Sequence, residues 1–465
     1  MVWQAQETQS IRHRPPGTGA ADRVTPVRDA TFDIPYTKQT LANGLDVLLH
    51  EDRGCPIVAV NIWYHVGSKN ERRGRTGFAH LFEHLMFEGS AHHDSGYFGP
   101  LQQAGAQING STNTDRTNYW EVVPTGALEL ALWMESDRMG YLLPALTQEK
   151  FDNQRDVVLN ERRQNYENRP YGLVSVALAE ALVPEWHPYS WLTIGAPDDL
   201  RAASLDDVRA FFQRYYHAGN ASIALAGDID AAHALELVAR YFGELPGGER
   251  PEPVPATPAP AVPSRRVLED RVELPRLYLA WVTPELYAED DAELDLLADI
   301  LAGGKASRLY RRLVYEERIA TEVASYQNSR EAGGYFQVVA TAVPDVPLAT
   351  IERALCDELT RLSADGPTDD ELARAIALTE SGFLSRLQHV GGFGGKSDQL
   401  NSYNVVLGDP GFFARDLQRY RDATREGVRR AAERHLSLPH AVAISAVPRG
   451  RADLAAPDSE PVVVS

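Results

Sequence analysis

Two histidines with a glutamate between them, His80-Leu81-Phe82-Glu83-His84, form the segment of this 465-residue chain best equipped for chemistry. On a helix, at about 100° per residue, His80, Glu83 and His84 project together from one side. Phe78, Leu81, Phe82, Leu85 and Met86 fall at i, i+3, i+4, i+7 and i+8 and make an apolar stripe on the other. A lone buried histidine is usually a core residue that has found a hydrogen bond, but these two lie off the core stripe. An i, i+4 pair can aim both imidazoles at one ion, and Zn²⁺ accepts nitrogen ligands of this kind. A carboxylate between them is placed to take a proton from water polarised by the ion. The order His-x-x-Glu-His inverts the commoner His-Glu-x-x-His and groups the same three side chains.

The elements that must position these groups carry their own signals. Thr76 stands where a helix cap belongs and Gly89 where the helix should stop. A zinc site open to reactants needs a third protein ligand. Residues 147–168 read as a second helix, with Thr147 as its cap, Glu149 in its first turn and Pro170 beyond its end. Glu149, Glu161 and Glu167 all lie there, and spacing alone leaves the three open.

A chain of this length exceeds one hydrophobic core. Prolines crowd residues 246–266, from Pro246-Gly247-Gly248 to Pro263, and read as an extended, semi-rigid linker. The order expected is an N-terminal extension at 1–30, an α+β domain carrying the motif at 31–245, the linker, a second α+β domain at 267–450 and a C-terminal tail at 451–465. The two halves look duplicated. Val208-Arg209-Ala210-Phe211 precedes the apolar run 221–226, and Val428-Arg429-Arg430-Ala431 precedes the run 441–446, an offset of 428 − 208 = 220 residues with helix and strand in the same order. Asn43-Gly44 marks a hairpin turn, and residues 58–66 alternate with the period of a strand with distinct faces. The fold class expected is therefore α+β: two duplicated domains, each a mainly antiparallel sheet with helices packed on one face.

Lys+Arg 46 against Asp+Glu 65 gives a net charge of -19, which argues against nucleic acid or anionic membrane as partners. No stretch approaches the ~20 apolar residues of a membrane span. The polar first 30 residues show no signal-peptide apolar region, and a soluble protein of cytoplasm or periplasm is expected. Cys55 and Cys356 form neither a CxxC pattern nor a disulfide framework. Gly391-Gly392-Phe393-Gly394-Gly395-Lys396 lacks phosphate-loop spacing and reads as a flexible connection. His92-His93 read as exposed loop histidines, and Asp115 and Asp228 as turn or strand-end residues.

His80-Leu81-Phe82-Glu83-His84, followed by Val157-Val158-Leu159-Asn160-Glu161-Arg162-Arg163, resembles the pitrilysin/insulysin (M16) family of zinc peptidases. In that family the ligand glutamate comes after 76 intervening residues; here 161 − 84 = 77, leaving 76 between, so the resemblance selects Glu161. Asn109-Gly110-Ser111-Thr112-Asn113, His187-Pro188-Tyr189 and Ser307-Arg308-Leu309-Tyr310 also match. The resemblance implies one Zn²⁺ on His80, His84 and Glu161, with Glu83 as general base and cleavage of peptides or unfolded segments. It also implies that the strand around Asn109, Gly110 and Ser111 is an exposed edge to which substrate backbone adds. The length is similar to that of the short subfamily that includes mitochondrial processing peptidase, in which two half-size chains pair.

Two positions depart from the family. Gln154 stands where a glutamate beside the metal is usual, and it lacks that residue's charge. Val314 and Thr321 occupy the places of the arginine and tyrosine that hold substrate, and Arg318 with Tyr326 would restore the pair only by a register shift. The expectation is that this chain is the zinc-bearing half of a heterodimer whose partner chain supplies the pair. Arg308 or Arg318 holding substrate instead, a non-catalytic structural subunit, and a module that captures peptides without cutting them are the alternatives.

Overall fold

The computed structural model describes residues 32–257 and 261–462. The expected extension at 1–30 and the end of the expected tail lie outside these residues, as do residues 258–260 of the expected linker.

Among the described residues, twelve strands form two six-stranded sheets. In chain order they are β1 (Thr37–Thr40), β2 (Asp46–Glu51), β3 (Ile57–Tyr64), β4 (Gln107–Thr112), β5 (Thr117–Pro124), β6 (Ala221–Gly227), β7 (Ser264–Asp270), β8 (Arg276–Thr283), β9 (Ala320–Asn328), β10 (Gly334–Ala342), β11 (Val442–Pro448) and β12 (Glu460–Pro461). The first sheet runs β1-β2-β6-β3-β5-β4 and the second β12-β7-β11-β8-β10-β9. Five strands correspond one for one. β2 pairs parallel with β6 as β7 does with β11, and the β3–β6 and β8–β11 pairs are both antiparallel. The duplication read from the helix-then-strand repeats is therefore present in topology. The sixth strand differs: β1 enters through the turn at Asn43-Gly44, where Gly44 has φ +90°, whereas β12 comes from the C-terminal segment.

Two boundaries differ from the sequence reading. The expected linker, 246–266, ends inside a strand, because the proline run stops at Pro263 and β7 starts at Ser264. The expected tail, 451–465, contains β12, whose pairing gives β7 a second neighbour.

Each half lends a helix to the other half's sheet. The helix Val174–Leu182, from the first half, packs Val174, Ala177, Leu178 and Ala181 against Tyr278, Ala280, Val282 and Ile444 of the second sheet. The helix Lys396–Leu407, from the second half, lies on β3 and β6. Val58, Val60, Ile62 and Tyr64 face the first core, as alternation predicts, yet Ala59, Asn61 and Trp63 are buried too. Asp398 on the lent helix accepts from Trp63 Nε1 at 2.8 Å, Asn118 Nδ2 at 3.1 Å and Asn61 Nδ2 at 3.4 Å. Asn401 donates to the Asn61 backbone and side-chain oxygens, both at 2.8 Å, and accepts from Ser222 Oγ at 2.7 Å. Polar residues on the second face of β3 signal this polar contact and not solvent. The glycine-rich run leading into the helix is likewise no loose connection: a Cβ on Gly391 would come within 2.5 Å of Ala59 Cβ.

Removing a buried hydrogen-bonding partner strands the groups it satisfied, at about 1–3 kcal/mol each. Asn401→Leu is expected to lower stability in chemical denaturation by roughly 2–4 kcal/mol. Lys396→Ala, which breaks the ion pair with Asp52 at the rim, should cost about 1 kcal/mol or less. An unchanged midpoint for Asn401→Leu would assign the docking to apolar contacts alone.

Candidate metal centre

The motif helix runs Phe78–Leu85, shorter at both ends than Thr76 and Gly89 suggested. Thr76 does not cap it; its hydroxyl donates to Asp199 at 2.6 Å and accepts from Ala196 N at 2.8 Å. Glu71 takes the capping role, accepting from Gly77 N at 2.9 Å and Ala79 N at 2.8 Å. Its burial pushes the carboxyl up to about 8, against the pull of those amides. Phe78, Leu81, Phe82 and Leu85 are buried in the first core, which leaves the polar side of the helix to the site.

The second helix, Gln148–Arg162, is capped as expected by Thr147, whose side chain accepts from Lys150 N. It lies against the motif helix, with Phe151 and Val158 buried. At its end the buried Arg162 donates to Gly195 O at 2.8 Å and pairs with Glu167 at 3.2 Å. That pairing occupies one of the three open carboxylates, and Glu149 is exposed on the opening turn. Glu161 alone of the three faces both histidines.

His80 Nε2 lies 3.6 Å from Glu161 Oε2, and His84 Nε2 lies 3.7 Å from Glu161 Oε1. Bond lengths of about 2.0–2.2 Å around tetrahedral zinc separate the donors by roughly 3.3–3.5 Å, so these spacings need only slight contraction. His80, His84 and Glu161 are the one group of three or more potential ligands gathered in this way among the described residues. The donor set, two imidazoles and a carboxylate without thiolate, fits zinc with one position open.

Gln154 stands behind His84. Its Oε1 lies 3.2 Å from His84 Nδ1, and its Nε2 donates to Glu88 Oε1 at 2.6 Å. The amide oxygen can only accept, so His84 carries its proton on Nδ1 and presents a lone pair at Nε2. An uncharged glutamine thus stands against the far nitrogen of His84, at the position where the family resemblance expects a glutamate. His80 Nδ1 is buried without a partner, and burial, then His84 nearby, pulls His80 down to about 4, so that its imidazole is neutral.

Glu83 sits on the same face. Burial raises its carboxyl above the usual range, partly offset by a hydrogen bond from Thr112 at the end of β4. β4 pairs with β5 alone and is the sheet's edge, so Asn109, Gly110 and Ser111 lie on an edge strand beside the site. A Cβ on Gly110 would meet the Tyr119 and Phe87 rings at 3.0 and 3.1 Å, which explains a glycine inside a strand. A cavity of about 520 Å³ opens beside Glu83 and His84, walled by Phe87, Tyr97 and Phe98. No sequence signal marked those aromatics as a pocket, because their convergence depends on how residues 86–106, with the short helix Phe98–Gln103, fold back beside the motif helix.

The other expectations divide. Arg308 is taken up by a bidentate pair with Glu371 at 2.8 and 2.7 Å, which rules it out as a substrate anchor. Val314 is half-buried, and Thr321 is exposed with its hydroxyl on Thr341 O at 3.3 Å. Arg318 is exposed before β9 with φ +54°, whereas Tyr326 lies far along that strand with its hydroxyl on Gln337. Asp115 is more than a turn residue: it accepts from Tyr189 Oη at 2.6 Å and from Glu331 N at 3.2 Å, joining the two halves.

Residues 46–184 match the family model described as insulinase (peptidase family M16), and residues 202–379 match the one described as peptidase M16 inactive domain. The chain belongs to the M16 peptidase family. Zinc protease PqqE of Helicobacter pylori is 29% identical over 75% of this chain and 79% of its own length. A relative from Rickettsia felis, called an uncharacterized zinc protease, is 25% identical over 79% of this chain and 87% of its own. Among solved structures, a protease from Helicobacter pylori superposes with a TM-score of 0.82 at 25% identity, over 90% of this chain and 100% of that one. A peptidase M16 inactive domain from Pseudomonas fluorescens gives 0.81 at 22% identity, over 92% and 100%, and shares the fold. Among the described residues of this M16 chain, no helix is long and apolar enough to cross a membrane.

Metal analysis discriminates the ligands. Glu161→Gln is expected to weaken zinc binding by more than about tenfold, whereas Glu167→Gln retains the metal. The reverse result would move the third ligand to Glu167.

Proposed function

We propose that this chain is a zinc-dependent endopeptidase acting on peptides or unfolded segments. The observation that carries this reading is the convergence of His80 Nε2, His84 Nε2 and both Glu161 oxygens, with Glu83 beside them. Zinc in such a site supplies Lewis acidity toward a carbonyl oxygen and lowers the pKa of water to about 7. Glu83 accepts the proton of the attacking water and returns it to the leaving amine. Its raised pKa suits the second half of that task, because a carboxyl that holds its proton longer is a better donor near neutral pH. Thr112 keeps the carboxylate turned toward the site. Gln154 keeps His84 in the tautomer that can ligate.

The substrate adds as a strand along β4, where backbone pairing reads extended chain more than side chains. The aromatic cavity beside Glu83 receives an apolar side chain next to the scissile bond. A folded protein cannot offer an unpaired strand at such an edge, which restricts cleavage to peptides and unfolded segments.

The same reading makes this chain the zinc-bearing member of a heterodimer. Val314 and Thr321 cannot hold a substrate backbone as an arginine and a tyrosine would, and Arg308 is spent on Glu371. A related partner chain supplies that pair.

Glu83→Gln keeps the shape of the side chain and removes its basicity. It is expected to lower kcat by roughly 100-fold or more, with zinc content and circular dichroism unchanged. Near-normal turnover would remove Glu83 from the mechanism. For the heterodimer, the purified chain alone should cleave a quenched fluorescent peptide poorly and gain at least about tenfold when the co-purifying M16-like chain is added. Full activity from the isolated chain, unaltered by any partner, would reject that assignment.

A further inference from the structure

A cavity of about 980 Å³ lies between the two halves and begins where β4 ends, at Thr112 and the turn 113–115. Its lining is unusual for a chain of net charge -19. Three arginines, Arg169, Arg276 and Arg330, face one carboxylate, that of Asp115. Asp115 is already engaged by Tyr189 Oη at 2.6 Å, Glu331 N at 3.2 Å and Lys69 Nζ at 3.5 Å.

Arg330 is the central group. Its guanidinium carbon stacks 4.0 Å from the centre of the Tyr189 ring and 5.2 Å from that of Tyr335. Its Nε donates to Gly333 O at 3.3 Å, within its own turn, and no carboxylate lies within ion-pair distance of it among the described residues. A guanidinium offers five donors in a fixed fork, and burial without an anion is costly unless one arrives. Burial lowers the pKa of Arg330, and Tyr189, Tyr335 and Asp115 offset that only in part. Arg169 is exposed at the cavity mouth and has no ion pair among the described residues. Arg276 is turned toward Thr341 and Glu322 and lies over the Tyr171 ring, so it adds field and not a free fork.

The position of the cavity ties it to the reaction. Thr112 lines it and also holds Glu83, and Tyr166, shortly after Glu161, lines it from the other side. A peptide paired along β4 that continues past Thr112 enters this space. At about 3.3 Å per residue, a few residues carry it from Gly110 to the turn bearing Asp115, which touches the residue next to Arg330.

We propose that the cavity around Arg330 is a subsite for a carboxylate of the substrate peptide, several residues from the scissile bond. The carboxylate is an Asp or Glu side chain or the peptide's C-terminus, and a basic pocket in an acidic protein draws such groups in by its local field. This subsite rests on reading the site as a peptidase with β4 as the substrate strand.

The test uses the full chain together with the co-purifying M16-like chain, and a labelled peptide series in which Glu replaces Gln one position at a time, each peptide with a free or an amidated C-terminus. Binding is read by fluorescence anisotropy and cleavage by kcat/KM. One position, or the free C-terminus, should improve binding and kcat/KM by roughly tenfold, and the arm that responds names the source of the carboxylate. Arg330→Gln should bring that ratio close to one, and Arg169→Ala, at an exposed position, should reduce it without touching the fold. Cleavage or binding indifferent to every added carboxylate would overturn the subsite and leave the peptidase reading intact. Selective binding without cleavage in the presence of the partner chain would support the subsite and count against the peptidase reading.

Discussion

The contact between the helix Lys396–Leu407 and the back of β3 is the constraint on which the rest of the molecule depends. Asp398 and Asn401 present a carboxylate and an amide to Asn61, Trp63, Asn118 and Ser222, in a place where water is excluded. Apolar surfaces can slide past one another with small loss, but a buried donor displaced from its acceptor loses the full desolvation cost. The polar interface therefore sets the register between the two halves. The helix Val174–Leu182, lent in the opposite direction through apolar contacts, adds area to the same union.

That union forms the large cavity. β4 is an edge because nothing beyond it in the first sheet continues the ladder, and the second half stands close enough to wall the space past Thr112. The charged cluster of Lys69, Asp115 and Glu331, with Lys69 Nζ 2.5 Å from Glu331 Oε2, ties the turn after β4 to the loop before β10. Arg330 owes its place to that tie.

Burial governs the chemistry of the site as well as its shape. The crossing of two helices brings His80, His84 and Glu161 together, and the first core beneath them keeps water from one side. The same burial keeps His80 neutral and raises the Glu83 carboxyl above the usual range. Gln154 places its amide oxygen 3.2 Å from His84 Nδ1, and its amide nitrogen is satisfied by Glu88.

Much of this was legible in the residues. The i, i+4 histidines and the apolar stripe opposite them determined a helix with one chemical face, because helical periodicity is a local property. Thr147 announced the cap of the second helix, and Asn43-Gly44 announced a turn, for the same reason. The repeated helix-then-strand runs at 208 and 428 announced two like halves. Glu161 could not be separated from Glu149 and Glu167 by spacing, since the choice depends on how one helix rotates against another. Tertiary structure alone decided that the second face of β3 is buried, that Glu71 and not Thr76 caps the motif helix, and that Arg308 is consumed while Arg330 is not. The burial of β3 and the fate of Arg308 rest on partners dozens to hundreds of residues away, and the Glu71 cap rests on a turn of the chain that no helical period announces. A residue's own type states which bonds it can make, and only the folded chain states which of them remain unmade.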